Sequence, residues 1–417
     1  MSTLKDKVLQ NVDKKGIIEL AKLMLETPSI TGDETELANR MADFMKDKGF
    51  EVELQEVEEG KFQTIGRIRG SGKGKSIMLC GHLDIFPPPV TMKEPYKFRL
   101  KNNRIYGAGI GDMKAGDVAI VMAADAIKRS GVEIKGDIII ALTREEEIGG
   151  VGITHMLESG VTADMGIVSE CTNLRIATTG AGIAKFHIST LGKSVHVGSK
   201  EHGVDAIEKM TKVVKAINEI EFTYEPDPRV PKLPRLAAGS IIGGRGRNYD
   251  LRGAQNLSDY CSLLVNVRFW KSQSVKSIEE ELRRCLESIA AEDPEFKYEL
   301  KEGYGSGPWE QGTITRNPKD VPLNAQIIEI VQRNHEYVTG KPAEFRSTLE
   351  TVGNDDGAQM NEWGIPTITY GPGPGKKDLN LYNQLPMAKR WIDQETINTC
   401  TKVLALTSLD VCTKDKE

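Results

Sequence analysis

The sequence lacks several features that would place it in a specialised class of protein. Its six cysteines are scattered without a C-x-x-C pair, which argues against a disulfide scaffold or a thiolate zinc site and favours a reducing cytoplasm. No apolar run approaches the roughly 20 residues of a membrane span, and the charged N-terminal segment predicts no signal peptide. There is no Walker pattern and no G-x-S-x-G elbow. The stretch GAGIG at 107–111 lacks the full G-x-G-x-x-G spacing, so we do not expect dinucleotide binding.

The composition is that of an ordinary globular protein. Apolar residues make up 39% of the 417 residues and charged residues 28%. The net charge of −5 gives no reason to expect nucleic acid or a membrane surface as a partner. The length predicts two domains rather than one.

Short apolar strands alternate with helical stretches in the first part of the chain. This pattern predicts an α/β fold with a mainly parallel sheet flanked by helices. From residue 182 the order becomes β-α-β-β-α-β, which is typical of a ferredoxin-like α+β domain. The α/β pattern then resumes. We therefore expect a discontinuous domain of residues 1–181 and 302–417, with a smaller domain of residues 182–301 inserted into it.

Polar side chains follow three apolar strands of the larger predicted domain, and a further carboxylate precedes one of its helices. These residues are His82 and Asp84, then Glu145, Glu146 and Glu147, then Glu170, and finally Asp112. Ligands bind at the carboxyl ends of the strands in open α/β sheets, so the side chains should converge. Converging carboxylates repel one another unless a cation neutralises them. Histidine with carboxylates suits zinc, manganese or cobalt, although salt bridges with lysine and arginine are the alternative.

Six segments resemble the zinc metallohydrolase family that includes glutamate carboxypeptidase, acetylornithine deacetylase and succinyl-diaminopimelate desuccinylase. They are GHLDIF, YGAGIGDMKAG, TREEEIGG, SECTN, GKSVHVG and TYGPGPG, in the order found in the family and across nearly the whole chain. The resemblance implies that the inserted domain is a lid and dimerisation domain. It also implies a homodimer or a higher homo-oligomer.

The resemblance further implies a set of metal ligands. His82 and Glu170 look like the terminal ligands of one metal, and Asp112 looks like the carboxylate that bridges two metals. Glu147 looks like a ligand of the second metal. The family has a cis peptide bond after the bridging aspartate, so the Asp112–Met113 peptide is expected to be cis.

The second metal lacks the histidine that the family supplies after the GPG turn. Asn380 stands at the matching position, and Asp378 could replace it as a ligand. An amide oxygen is a poorer zinc ligand than imidazole. We therefore expect one tightly bound divalent metal, with the second site weak, manganese-like or empty.

Four further residues receive roles from the resemblance. Glu146 looks like the general base, because the following IGG sets the register of the three glutamates and leaves Glu145 without a catalytic role. Asp84 would orient the ring of His82. His196 matches a histidine that reaches the site of the neighbouring subunit and stabilises the oxyanion. Arg268 matches an arginine that binds a substrate carboxylate. A surface histidine and a salt bridge within the lid are the respective alternatives.

The leading hypothesis is a metal-dependent hydrolase that cleaves the C–N bond of a small carboxylate-bearing substrate, such as an N-acyl amino acid or a dipeptide. One alternative is an aminohydrolase that releases ammonia. Another is a paralogue that binds a metal and a ligand without turnover, and the intact Glu146 argues against it.

Overall fold

The chain divides into two compact units in the computed structural model, which describes residues 3–250, 252, 255–303, 315–346, 353–386 and 389–415. The larger unit consists of the described residues of 1–179, 319–347 and 355–417. The smaller unit consists of the described residues of 180–318, together with Gly353 and Asn354. The smaller unit is thus inserted into the larger one, and it extends further along the chain than the expected 182–301.

Helices and strands alternate along both units. The helices are α1 (Leu4–Gln10), α2 (Lys14–Glu26), α3 (Thr35–Asp47), α4 (Ala115–Ser130), α5 (Val151–Glu158), α6 (Ala206–Asn218), α7 (Val275–Glu292), α8 (Gln326–Thr339), α9 (Gly357–Glu362), α10 (Leu379–Gln384) and α11 (Gln394–Cys412). The strands are β1 (Glu51–Glu58), β2 (Lys61–Ile68), β3 (Ile77–His82), β4 (Arg99–Lys101), β5 (Arg104–Tyr106), β6 (Ile138–Thr143), β7 (Met165–Val168), β8 (Thr179–Gly180), β9 (Gly182–Leu191), β10 (Arg235–Gly244), β11 (Tyr260–Phe269), β12 (Lys297–Glu302), β13 (Lys319–Asp320), β14 (Thr367–Thr369) and β15 (Ile392–Asp393).

A six-stranded mixed sheet with the order β1-β2-β6-β3-β7-β14 forms the centre of the larger unit. Strands β6, β3, β7 and β14 run parallel, whereas β1 and β2 join antiparallel at one edge. Every residue of β3, β6 and β7 is buried, which explains their continuous apolar sequences. Helices α4 and α11 pack against each other beside this sheet. The predicted α/β class is confirmed.

The register of the parallel strands brings their polar ends together. His82 at the end of β3 lies opposite Thr143 at the end of β6. On the other side of β3, Cys80 lies opposite Val168, the last residue of β7. Residues 82–84, 144–147 and 169–170 therefore leave the sheet at one edge, as the strand pattern predicted.

Helix α3 begins after a glutamate. The N-cap is Glu34, which makes no side-chain capping hydrogen bond. Its carboxylate instead accepts a hydrogen bond from the backbone N–H of Gly32, at 2.8 Å. Among the described residues, none of the helices is both long and apolar enough to cross a membrane.

The smaller unit contains a four-stranded antiparallel sheet with the order β10-β11-β9-β12. Helices α6 and α7 pack against each other and contact strands of this sheet. Apolar residues of the strands and of both helices form one buried cluster. The connection order β-α-β-β-α-β with this strand order is ferredoxin-like. Strand β10 forms one edge of the sheet, and most of its residues are exposed.

Candidate active site

Three of the predicted metal ligands converge in the larger unit. Nε2 of His82 lies 3.1 Å from Oε1 of Glu170 and 3.4 Å from Oδ1 of Asp112. One donor atom from each residue lies within 4.8 Å of the other two. An imidazole nitrogen and two carboxylates at this spacing form a donor set that suits a divalent hydrolytic metal.

The ring of His82 is oriented so that its outer nitrogen faces these carboxylates. Nδ1 lies 2.9 Å from the backbone carbonyl oxygen of Asp84 and 3.3 Å from its Oδ1. Because both of these atoms are acceptors, Nδ1 carries the proton in the neutral ring. The lone pair of Nε2 is then directed to the metal position.

The carboxylate of Asp84 is completely buried. It contacts the ring of His82, as expected, and also the backbone of the glutamate run. Oδ1 accepts a hydrogen bond from the backbone N–H of Glu146, at 3.0 Å, and Oδ2 accepts one from Glu147, at 3.2 Å. The hydroxyl of Thr31 donates a third, at 3.0 Å. Burial acts to raise the pKa of Asp84, but the contact with His82 and the backbone hydrogen bonds from Glu146 and Glu147 outweigh it and lower the pKa. Asp84 therefore fixes the backbone of the glutamate run as well as the imidazole.

The three consecutive glutamates differ in their surroundings. Oε2 of Glu146 lies 3.9 Å from Nε2 of His82, and the side chain is buried. Glu145 has a positive φ of 53°, and its carboxylate accepts a hydrogen bond from Arg144 at 2.7 Å and lies 3.9 Å from Lys61. Glu145 is thus neutralised by cationic side chains, whereas Glu146 is close to the predicted metal ligands.

The Asp112–Met113 peptide bond is cis, which confirms the expectation from the resemblance. It lies within the short helical turn Ile110–Lys114, where Asp112 and Met113 have non-helical backbone angles. The turn follows Gly109, whose φ of 79° lies in the left-handed region that favours glycine. This backbone places the carboxylate of Asp112 beside His82.

Glu147, Glu170 and His82 have shifted pKa values. Burial, and then the charge of Asp112, raises the pKa of Glu147 to about 9. The same two causes raise the pKa of Glu170 to about 7. Burial lowers the pKa of His82, but hydrogen bonds with the nearby carboxylates outweigh it and raise the pKa well above its ordinary value. A divalent cation would neutralise the buried carboxylates and relieve their mutual repulsion, so the residues fit a metal.

The predicted residues of the inserted domain lie in the smaller unit. His196 is exposed, and its Nδ1 accepts a hydrogen bond from the backbone N–H of Gly198 at 3.1 Å. Its backbone pairs with that of Asn256. Arg268 is half-buried in β11, where its partners in register are Arg235 on β10 and Ile183 on β9.

Asn380 and Asp378, the two candidates to replace the missing histidine of the second metal, lie in the segment after the GPG turn. Asn380 is exposed on α10, and the carboxylate of Asp378 lies 2.6 Å from the guanidinium of Arg104. Neither residue lines the cavity beside Glu147, so the ligand role of Asn380 stays a prediction.

Tyr382 and Arg390 line that cavity, and sequence reasoning missed both. No motif identified either of them. An aromatic residue on a short helix usually belongs to the core, and an arginine in a loop is usually solvated.

Comparisons with known proteins agree with this geometry. Residues 78–410 match the profile of peptidase family M20/M25/M40. The chain is 25% identical to N-formyl-4-amino-5-aminomethyl-2-methylpyrimidine deformylase of Halalkalibacterium halodurans, over 92% of this chain and 93% of the relative. It is 28% identical to acetylornithine deacetylase of Vibrio campbellii, over 86% of this chain and 89% of the relative. Its fold is similar to that of a dipeptidase from Saccharomyces cerevisiae, with a TM-score of 0.79 and 13% identity over 100% of both chains.

The chain belongs to peptidase family M20/M25/M40, which confirms the resemblance carried by the six sequence segments. It is a metal-dependent amidohydrolase or peptidase, and it acts on the amide or peptide bond of a small substrate.

Removal of divalent metal should make the stability of the larger unit depend on pH. The pKa values of Glu147 and Glu170, about 9 and 7, lie above those of an unfolded glutamate, so the folded chain binds more protons than the unfolded chain. In chelator, the free energy of unfolding should therefore fall as the pH rises from about 5 to 9. His82, whose pKa is also raised, acts in the same direction.

Urea unfolding at several pH values, with and without a divalent cation, measures this effect. Added metal should restore stability most strongly at high pH, and the variant Glu147→Gln should show a smaller pH dependence in chelator. Equal stability from pH 5 to 9 in chelator would contradict the assignment.

Proposed function

We propose that the protein hydrolyses the amide or peptide bond of a small carboxylate-bearing substrate, with an N-acyl amino acid or a dipeptide as the default. The observation that carries this proposal is the position of Glu146, a buried carboxylate whose Oε2 lies 3.9 Å from the metal-ligand nitrogen of His82. A protein that only binds a metal and a ligand needs no base at this position. The similarity to a deformylase and a deacetylase supports cleavage of an acyl group from nitrogen.

Glu146 is the general base of the proposed mechanism. When bound, a divalent metal at His82, Asp112 and Glu170 supplies a Lewis acid that polarises the substrate carbonyl and lowers the pKa of a water molecule. Glu146 accepts the proton of the attacking water and delivers it to the leaving nitrogen. Asp84 holds both the base and the imidazole in position through its contacts with Glu146 and His82. Arg268 offers a guanidinium fork to a substrate carboxylate.

Replacement of Glu146 by glutamine should abolish turnover and leave metal and substrate binding intact. The loss of the base should reduce kcat by roughly 10²- to 10⁴-fold. Hydrolysis of a panel of N-acyl amino acids and dipeptides should be followed by the release of the amine, with ammonia assayed in parallel. The neighbouring variant Glu145→Gln is the matched control and should keep most of the activity.

Near-normal kcat in Glu146→Gln would assign the base to another residue. Release of ammonia without an acyl or amino-acid product would favour the aminohydrolase.

We propose that one divalent metal binds tightly at His82, Asp112 and Glu170, and that the second site is weak, manganese-like or empty. The three residues form a complete cluster of donor atoms. Asp378, which could have replaced the missing histidine, is instead paired with Arg104. The oxygen-rich surroundings of Glu147 would favour manganese over zinc at the second site.

Metal analysis after dialysis should return about one tight ion per chain. Replacement of His82 by alanine should remove this ion, whereas Asn380→Ala should leave it in place. Two zinc ions per chain that survive dialysis against a chelator would show that the second site is intact.

We propose that the chain forms a homodimer through the smaller unit. Strand β10 is a ten-residue edge strand, and its neighbouring residues Ile241 and Ile242 are 57% and 45% exposed. An exposed apolar edge is a template for pairing with a second copy.

All six cysteines are free thiols, which supports the expectation of a reducing compartment such as the cytoplasm.

His196 should act on the site of the partner subunit, as the resemblance implies. The variants His196→Ala and Glu146→Gln should each be inactive alone. After verified subunit exchange, their mixture should recover roughly a quarter of wild-type activity, because half of the dimers are mixed and each has one intact site. Ile241→Lys, which places a charge on the proposed interface, should yield inactive monomers. A lack of complementation despite exchange would rule out a shared site.

A further inference from the structure

A cavity of about 90 Å³ opens beside the predicted metal ligands within the larger unit. One wall is apolar and includes Ile85, Phe86 and Met92, together with the three prolines at 87–89. Asp112 and Glu147, which belong to the predicted metal site, also line the cavity. A substrate group that enters this cavity would therefore lie next to the reacting bond.

Arg390 contributes a positive charge to the lining of this cavity. The residue is half-buried in the segment between α10 and β15. Its Nε donates a hydrogen bond to the carbonyl oxygen of Leu385 at 3.4 Å, and its guanidinium lies over the ring of Tyr382, 5.2 Å from the centroid. These contacts fix the orientation of the side chain without neutralising its charge.

Arg104, a second arginine that lies over an aromatic ring, differs from Arg390 because its charge is paired. Arg104 lies over the ring of Trp391, at 4.3 Å, and is neutralised by Asp378 at 2.6 Å. Among the carboxylates that the structure describes, none forms an ion pair with Arg390. A guanidinium that is partly removed from water gains most from a carboxylate, which it binds through two parallel hydrogen bonds.

We propose that Arg390 is a specificity-determining residue that binds a carboxylate of the substrate at the end of a short aliphatic stem. The stem contacts the apolar wall formed by Ile85, Phe86 and Met92. The volume of the cavity equals that of about three water molecules, which suits a chain of a few carbons with its carboxylate. The proposed function assigns one substrate carboxylate to Arg268, and we assign a second one to Arg390. The inference rests on the proposed hydrolysis and narrows its substrate to a dicarboxylate.

The second carboxylate could belong to the amino-acid side chain or to the acyl group, and two matched pairs of compounds distinguish these sources. The first pair is N-acetyl-glutamate and N-acetyl-glutamine, which differ only in the charge of the side chain. The second pair is N-succinyl-alanine and N-butanoyl-alanine, which differ only in the carboxylate of the acyl group. Binding is measured by calorimetry on the metal-loaded Glu146→Gln protein, so that the result does not depend on turnover.

The charged member of one pair should bind more tightly than its neutral partner. Arg390→Gln should weaken binding of the charged member by roughly 10- to 100-fold and leave the neutral member unchanged. Arg390→Lys should recover part of the difference. Arg104→Gln is the matched control and should keep the preference for the charged member.

Three results would overturn the proposal. These are no preference for the carboxylate in either pair, an unchanged preference in Arg390→Gln, and an equal loss of both members of a pair, which would indicate a structural role. Hydrolysis of the same four compounds by the wild-type protein is measured separately. Binding that depends on Arg390 without any hydrolysis would place the failure in the proposed function rather than in this subsite.

Discussion

The buried carboxylate of Asp84 is the group on which the rest of the site depends. It accepts hydrogen bonds from the backbone N–H groups of Glu146 and Glu147 and contacts the ring of His82. A buried carboxylate is costly unless donors surround it, and these contacts satisfy that requirement. One charge at the end of β3 thus sets the direction of an imidazole and the path of the chain after β6. Asp84 thereby sets the distance between Glu146, the proposed base, and His82, the proposed metal ligand.

The electrostatic balance of the site explains why a cation belongs there. Four carboxylates (Asp112, Glu146, Glu147 and Glu170) surround one imidazole. Burial and the charge of Asp112 raise the pKa values of Glu147 and Glu170, because both effects disfavour the ionised carboxylates without a cation. Arg390 lines the same cavity as Asp112 and Glu147, so groups of both charges face a space for substrate. Such a lining suits a ligand that carries an anion at one end and a polarisable carbonyl at the other.

The parts that the sequence predicted correctly are those set by local pattern. Buried parallel strands such as β3 and β6 have unbroken apolar sequences, and the polar residues after them converge because parallel strands end at one edge. The edge strand β1 is less evident in the sequence, because Val52 and Leu54 on its inner side are only half-buried and a charged residue stands between them. Arg390 could not be found because its role depends on Tyr382, on the wall around Phe86 and on the absence of a described carboxylate partner. These are tertiary relations without a sequence signal.

The position of α11 has a consequence for biosynthesis. This helix, Gln394–Cys412, is buried along most of its length and packs against α4, which lies far earlier in the chain. The smaller unit, whose last residue is Asn354, therefore leaves the ribosome before α11, whereas the core of the larger unit has to wait for that helix. The smaller unit can fold first, while the apolar face of α4 remains uncovered. During that interval the nascent chain exposes apolar surface, which makes a folding intermediate prone to aggregation, and a chain truncated before α11 would leave that surface uncovered.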